Sequence, residues 1–142
     1  MSRLRLPNGD DHPDAAGKHL DDASVLLPAG RSDGAAYLAG YVVECALKSI
    51  ILVAGGHPWG HDLNALGREA LRLAALPGAR SARYVPRMTQ GHTLYDPASG
   101  WTETLRYREP GAVTPTDAGS WLGEAQVVYE SAIVAMRLDG VA

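Results

Sequence analysis

Two charged residues interrupt the most apolar stretch of the chain. Glu44 and Lys48 stand four apart within the run from Tyr37 to Ala54, so on a helix they share one face, in the orientation that favours pairing. An isolated charge in an apolar interior is costly, so each must be paired, bound to a ligand or placed at an edge. Either they form salt bridges, with each other or with a neighbouring helix or subunit, or Lys48 meets a phosphate. Further on, His57-Pro58-Trp59-Gly60-His61-Asp62 gathers two histidines and an aspartate in one turn. These residue types bind metals, but no third and fourth ligand lie nearby in sequence, so neither a metal nor another cofactor is implied. Asp62 reads instead as a helix-start residue whose charge favours the exposed backbone N–H groups, a structural polar role it shares with Glu44. Arg106 beside Tyr107 could hold a phosphate while the ring stacks on a base. The alternative packs Tyr107 on the protein and sends Arg106 to Glu44 or Asp62.

The elements that position these residues are helical. Ala16, His19, Leu20, Ala23, Leu26 and Leu27 recur at helical spacing after Pro13, and Pro28 with Gly30 ends that run. A second helix opens at Ser32 or Asp33 as cap and runs to Gly55–Gly56; it is apolar on nearly every face and should be central. Its small residues Ala35, Ala36, Ala39 and Gly40 suit close helix packing, within the chain or between subunits. A third carries the stripe Leu63, Leu66, Ala70, Leu73 and Leu76, stopped by Pro77–Gly78. The fourth starts with Thr114 as cap, Pro115 in the first position and Asp117 completing a variant capping box. Its core stripe runs through Ala118, Trp121, Leu122, Ala125, Val128, Tyr129, Ala132, Ile133 and Met136. Between Gly78 and Val113, repeated prolines and glycines break any long element. Tyr84, Tyr95, Trp101 and Tyr107 in that segment argue against disorder, since aromatic rings generally find something to pack on. The expectation is one all-α domain over residues 1–142. Its core, residues 12–138, is an up-and-down bundle of four main helices, with an irregular arginine-rich segment over residues 78–113.

Composition fits a globular protein: hydrophobic residues make up 46% and charged residues 20%. The single cysteine, Cys45, excludes an internal disulfide and makes a reducing compartment such as the cytoplasm the expectation. No apolar run follows the N-terminal arginines as a secretory signal would require. Glu44 and Lys48 make the apolar run a core helix and not a membrane span. The net charge of −3 excludes binding of long nucleic acid through overall charge. Acids cluster at Asp10, Asp11, Asp14, Asp21 and Asp22, whereas Arg80, Arg83, Arg87, Arg106 and Arg108 crowd the region before the last helix. That unevenness is either ordinary surface variation or a basic rim over a phosphate-bearing ligand.

The run AAYLAGYVVECALKSIIL, a short glycine turn and GHPWGHDLNAL together resemble the second and third helices of HEPN proteins. The matching positions are Tyr41, Glu44, Cys45, Leu47, Lys48, His61, Asp62 and Leu63. GWTETLRYREPG resembles the Arg-Tyr segment before that family's last long helix, with Arg106 and Tyr107 the matching pair. The resemblance covers nearly the whole chain. It implies RNA or a nucleotide as ligand, and pairing as a homodimer with a composite groove between protomers. It also implies a toxin–antitoxin or defence setting, in which a nucleotidyltransferase-type partner would be a separate protein. Catalytic members carry an arginine and a histidine four to six residues apart, and Arg87 and His92 have that gap. In the family this pair makes a metal-independent ribonuclease: histidine handles the proton of the ribose 2′-hydroxyl and arginine stabilises the phosphate. Met88 stands where a polar residue is usual, and Pro86 and Gly91 make the stretch a loop where a helix is usual. Two readings follow, a ribonuclease with Arg87 and His92 as catalytic pair, or a non-catalytic nucleotide-binding or partner-docking domain. In either, Lys48, His61, Arg106 and Tyr107 are the candidates for holding the nucleotide or phosphate.

Overall fold

The computed structural model describes residues 1–86 and 93–142. Four helices form an up-and-down all-α bundle: α1 (His12–Leu26), α2 (Ser32–Val53), α3 (Leu63–Ala74) and α4 (Pro115–Tyr129). A π turn over Glu130–Val134 joins α4 to a last short helix, α5 (Ala135–Leu138). Each start has a local cause. The Asp11 carboxylate accepts from Asp14 N at 3.3 Å, with Pro13 in the first turn of α1. Asp62 accepts from Ala65 N at 3.0 Å at α3, and Thr114 Oγ1 accepts from Asp117 N at 3.1 Å at α4. The second helix differs from expectation. Its cap position is Arg31, with no side-chain bond, because Asp33 is drawn away to Gly111 N and Val113 N at 2.7 and 2.9 Å. That carboxylate ties the end of the long excursion to the start of α2.

The central helix is the core of the bundle. Val42, Val43, Leu47, Ile50 and Ile51 are fully buried, each contributing about 1.5–3 kcal/mol of apolar burial. By length and composition α2 could cross a membrane, but two thirds of its most apolar window is buried against the rest of the chain. Its small residues serve packing inside the chain. Ala35, Ala36 and Ala39 are completely covered, and a Cβ on Gly40 would overlap the indole of Trp101. The α3 stripe packs inward at Leu63, Leu66, Ala70 and Leu73, while Leu76, beyond the helix end, is half exposed. Along α4 and its continuation, Ala118, Trp121, Ala125, Val128, Ala132, Ile133 and Met136 are buried, with Val127, Val134 and Leu138 left outside.

The segment between α3 and α4 is held by short 3₁₀ turns at Ala82–Tyr84, Thr93–Tyr95 and Glu103–Tyr107. Leu94 N donates to Glu124 of α4 at 3.0 Å, and Asn64 of α3 donates to the Tyr95 carbonyl at 3.0 Å. Trp101 then inserts over Gly40 and donates from Nε1 to the Tyr37 carbonyl at 2.9 Å. The aromatic residues of the excursion thus behave in two ways. Tyr84, Tyr95 and Trp101 are buried, whereas Tyr107 is 76% exposed.

Candidate functional site

The charged pair inside α2 is buried and has a third member. Glu44 is 3% exposed. Its Oε1 accepts from Lys48 Nζ at 2.7 Å, and His61 Nδ1 lies 3.0 Å from both carboxylate oxygens. Lys48 keeps 12% of its side chain exposed and His61 keeps 50%. The salt bridge expected between Glu44 and Lys48 is therefore present, and it sits beneath a half-exposed imidazole. Gly60, at φ 79°, turns the chain sharply between Trp59 and His61, a backbone region that glycine adopts without strain. Asp62 then caps α3, so one turn fixes both the helix start and the ring that reaches back to α2. An ionised carboxylate only accepts hydrogen bonds, so Nδ1 must carry the proton and Nε2 is the nitrogen left to the outside.

Aromatic rings extend from this cluster along α2. Tyr41 meets His61 edge-on with ring centroids 6.4 Å apart, Trp101 at 5.0 Å and Tyr37 at 5.0 Å. The Tyr37 hydroxyl donates to Tyr41 at 3.3 Å. Burial first, and then that hydrogen bond, push the Tyr41 pKa well above the usual phenol range. Arg106 continues the row, with its guanidinium 4.9 Å from the centre of the exposed Tyr107 ring. Tyr107 first, and then Tyr37, raise the Arg106 pKa above its ordinary value. Arg106 therefore joins neither Glu44 nor Asp62. Glu44 is taken by Lys48 and His61, and Asp62 by the α3 backbone.

Beside His61 lies a cavity of about 580 Å³ bordered by Asn64, Leu94, Trp101, Thr102 and Thr104, a volume within the range of small-ligand sites. Among the described residues no lysine or arginine lines it. Its aspartates are engaged locally, Asp62 as the α3 cap and Asp96 with Ala98 N and Ser99 N at 2.8 and 2.9 Å. Two further histidines sit on α1 close enough to feel the cluster. The His12 pKa is lowered by burial first and then by Lys48, and that of His19 by burial and then Lys18. Cys45, next to Glu44 in sequence, is buried in the core, and burial pushes its thiol up to about 12. It is thus no nucleophile near neutrality. Among the described residues no three His, Cys, Asp or Glu side chains converge as a metal site would require.

Of the residues singled out in the sequence, the structure brings together Glu44, Lys48 and His61, and sets Arg106 and Tyr107 at the other end of one aromatic row. Arg87 and His92 lie outside the described residues. Two contributors were not anticipated. Trp101 seals the wall between Tyr37 and Tyr41, and Trp59 projects beside His61 with 91% exposure. Two other arginines of the basic rim have local partners, Arg83 pairing with Asp139 at 3.0 Å and Arg108 with Glu109 at 3.6 Å.

No curated protein and no solved structure matches the chain. The family model for the HEPN domain matches residues 11–134, which takes in the starts of the four main helices and the row from His61 to Arg106. The chain belongs to the HEPN domain family.

Proposed function

We propose that this HEPN domain acts on RNA or a nucleotide phosphate through the row that runs from Arg106 and Tyr107 to His61. Family membership supports a nucleotide-binding or ribonuclease-like module in general. The observation that carries the reading is the Arg106–Tyr107 pair: a solvent-exposed guanidinium over an exposed ring, beside Tyr37. Such a pair offers a fork for phosphate oxygens and a face for a base. Lys48 sits at the His61 end of the row, where its ammonium is paired with Glu44. The cavity beside His61, with no lysine or arginine among its described lining residues, suits the base or ribose, with the phosphate on the Arg106 side.

The activity that fits this ligand is metal-independent RNA cleavage with Arg87 and His92 as the catalytic pair, in a toxin–antitoxin or defence setting. Purified protein incubated with mixed RNA in chelator should leave 2′,3′-cyclic phosphate ends, and His92→Ala should abolish them. Binding without cleavage would move the account to a nucleotide-binding or partner-docking domain. Arg106→Ala should then weaken binding of a short single-stranded RNA about tenfold, and unchanged affinity would remove Arg106 from the site. Pairing as a homodimer would use a surface other than the small residues of α2, which are covered inside the chain. The exposed stripe of Val127, Val134 and Leu138 is the candidate. Light scattering at micromolar concentration should give a dimer that Val134→Asp dissociates, and a monomeric wild-type protein would remove this part of the proposal. A separate nucleotidyltransferase-type protein remains the partner suggested by the family resemblance.

A further inference from the structure

We infer that His61 is a proton donor to the leaving oxygen of a cleaved phosphodiester, with Glu44 as its positioning residue; the inference rests on the RNA-directed reading above. Glu44 is almost wholly buried, yet both its oxygens face His61 Nδ1 at 3.0 Å while Lys48 balances its charge at 2.7 Å. Nδ1–H is therefore held by the carboxylate in either ionisation state of the ring. Any proton the ring gives or takes is on Nε2, a division of labour that an acid–base histidine requires. The ring is half exposed and borders the 580 Å³ cavity. A purely structural ion pair would be complete with Lys48 alone, which already satisfies the requirement for a partner to the buried carboxylate. The added imidazole, turned back by Gly60, borders a space that can hold a nucleotide and has Nε2 as the nitrogen not committed to Glu44.

In the step assigned here, a base removes the proton of the ribose 2′-hydroxyl. The 2′-oxygen forms a bond to the adjacent phosphorus as the bond from phosphorus to the 5′-oxygen breaks. His61 Nε2 gives its proton to that 5′-oxygen. The products are a 2′,3′-cyclic phosphate and a 5′-hydroxyl end, and His61 regains a proton from water. The step needs no oxidant, reductant or added co-reactant.

A leaving-group comparison tests the assignment. Two substrates are cleaved in chelator by the full chain: an RNA dinucleotide, whose 5′-oxygen needs a proton to leave, and a ribonucleoside 3′-nitrophenyl phosphate, whose nitrophenolate does not. His61→Asn, which keeps an amide donor toward Glu44, should lower cleavage of the dinucleotide by about a hundredfold or more. It should leave the nitrophenyl ester within about threefold of wild type, with an unchanged melting curve. Glu44→Gln should show the same selectivity at about a tenth of the dinucleotide activity. Equal loss on both substrates would make His61 structural and overturn the inference. Retention of both in His61→Asn, with loss of both in His92→Ala, would overturn it while leaving the RNA-directed reading intact. Cleavage of neither substrate by wild-type protein would overturn the inference together with the ribonuclease reading, leaving the nucleotide-binding or partner-docking reading.

Discussion

The two ends of the aromatic row differ in nearly every physical respect. At one end Glu44, Lys48 and His61 form a cluster whose carboxylate is buried, whose partners lie within 3.0 Å, and whose members sit on α2 and the turn before α3. At the other, Arg106 and Tyr107 stand in solvent on a 3₁₀ turn and meet chiefly each other. A buried, fully paired group is positioned at high cost to any change and can therefore orient chemistry. An exposed guanidinium over a ring contributes little to folding and retains its capacity for a ligand. The difference predicts that removing the buried carboxylate at the first end will be felt as stability, and that substitutions at the second will be felt as binding.

The largest effect should come from the joint between the two ends. Gly40→Ala places a methyl where the Trp101 indole lies and must expel the ring that walls Tyr37 and Tyr41. A cost of about 3 kcal/mol, or roughly a 10 °C fall in Tm, is expected by calorimetry. A variant as stable as wild type would show that Trp101 is not the joint. Next, Glu44→Ala leaves Lys48 and His61 without their shared carboxylate. Chemical denaturation should register about 2 kcal/mol, below the roughly 3–5 kcal/mol of a broken buried pair because Lys48 can relax toward water. Adding Lys48→Met should recover part of that loss, and strict additivity would count against coupling between them. Smaller again, Arg106→Ala should change stability by no more than about 0.5 kcal/mol while lowering RNA or nucleotide affinity. A large stability loss there would dissolve the contrast between the two ends.

The smallest effect is a pH dependence at the buried end. The pKa values of His12 and His19 are both lowered from the ordinary 6.5, chiefly by burial, and His19 Nδ1 is buried with no hydrogen-bond partner among the described residues. Between the folded and unfolded values the unfolded chain binds more protons, so stability rises with pH across that window. The contribution is complete above about 6.5 and lost as pH falls through the lowered folded values. Tm should therefore decline on mild acidification, and less so in His19→Gln. A Tm flat from about pH 7 to about pH 5 would contradict this.

Most of the fold was legible because its signals are local. Pro13, Asp62, Thr114 and Pro115 mark helix starts through bonds made within one turn, and the apolar run of α2 announces a core helix. Glu44 and Lys48 were legible as a pair for the same reason: a charge in an apolar run demands a partner, and the partner is one helical turn away. His61 as the third member was not, since it lies seventeen positions along the chain from Glu44 and a connection through left-handed Gly55 and Gly60 brings it back. Asp33 looked like a cap by position, but the excursion it tethers lies far along the chain. Trp101 was legible as something that must pack. Its seat over Gly40 depends on a contact that periodicity does not encode. Arg106 could reach several acids by sequence, and the burial of Glu44 under His61 decided against them.

The central claim is that RNA or a nucleotide phosphate is held along the row from Arg106 to His61. The most direct test is photo-crosslinking of a short single-stranded RNA carrying 4-thiouridine, followed by mass-spectrometric mapping of the adducts. The account predicts adducts in the peptides that contain Tyr107 and the Trp59–His61 turn, reduced by Arg106→Ala. Adducts confined to the outer stripe of Val127, Val134 and Leu138, or unaffected by Arg106→Ala, would contradict it.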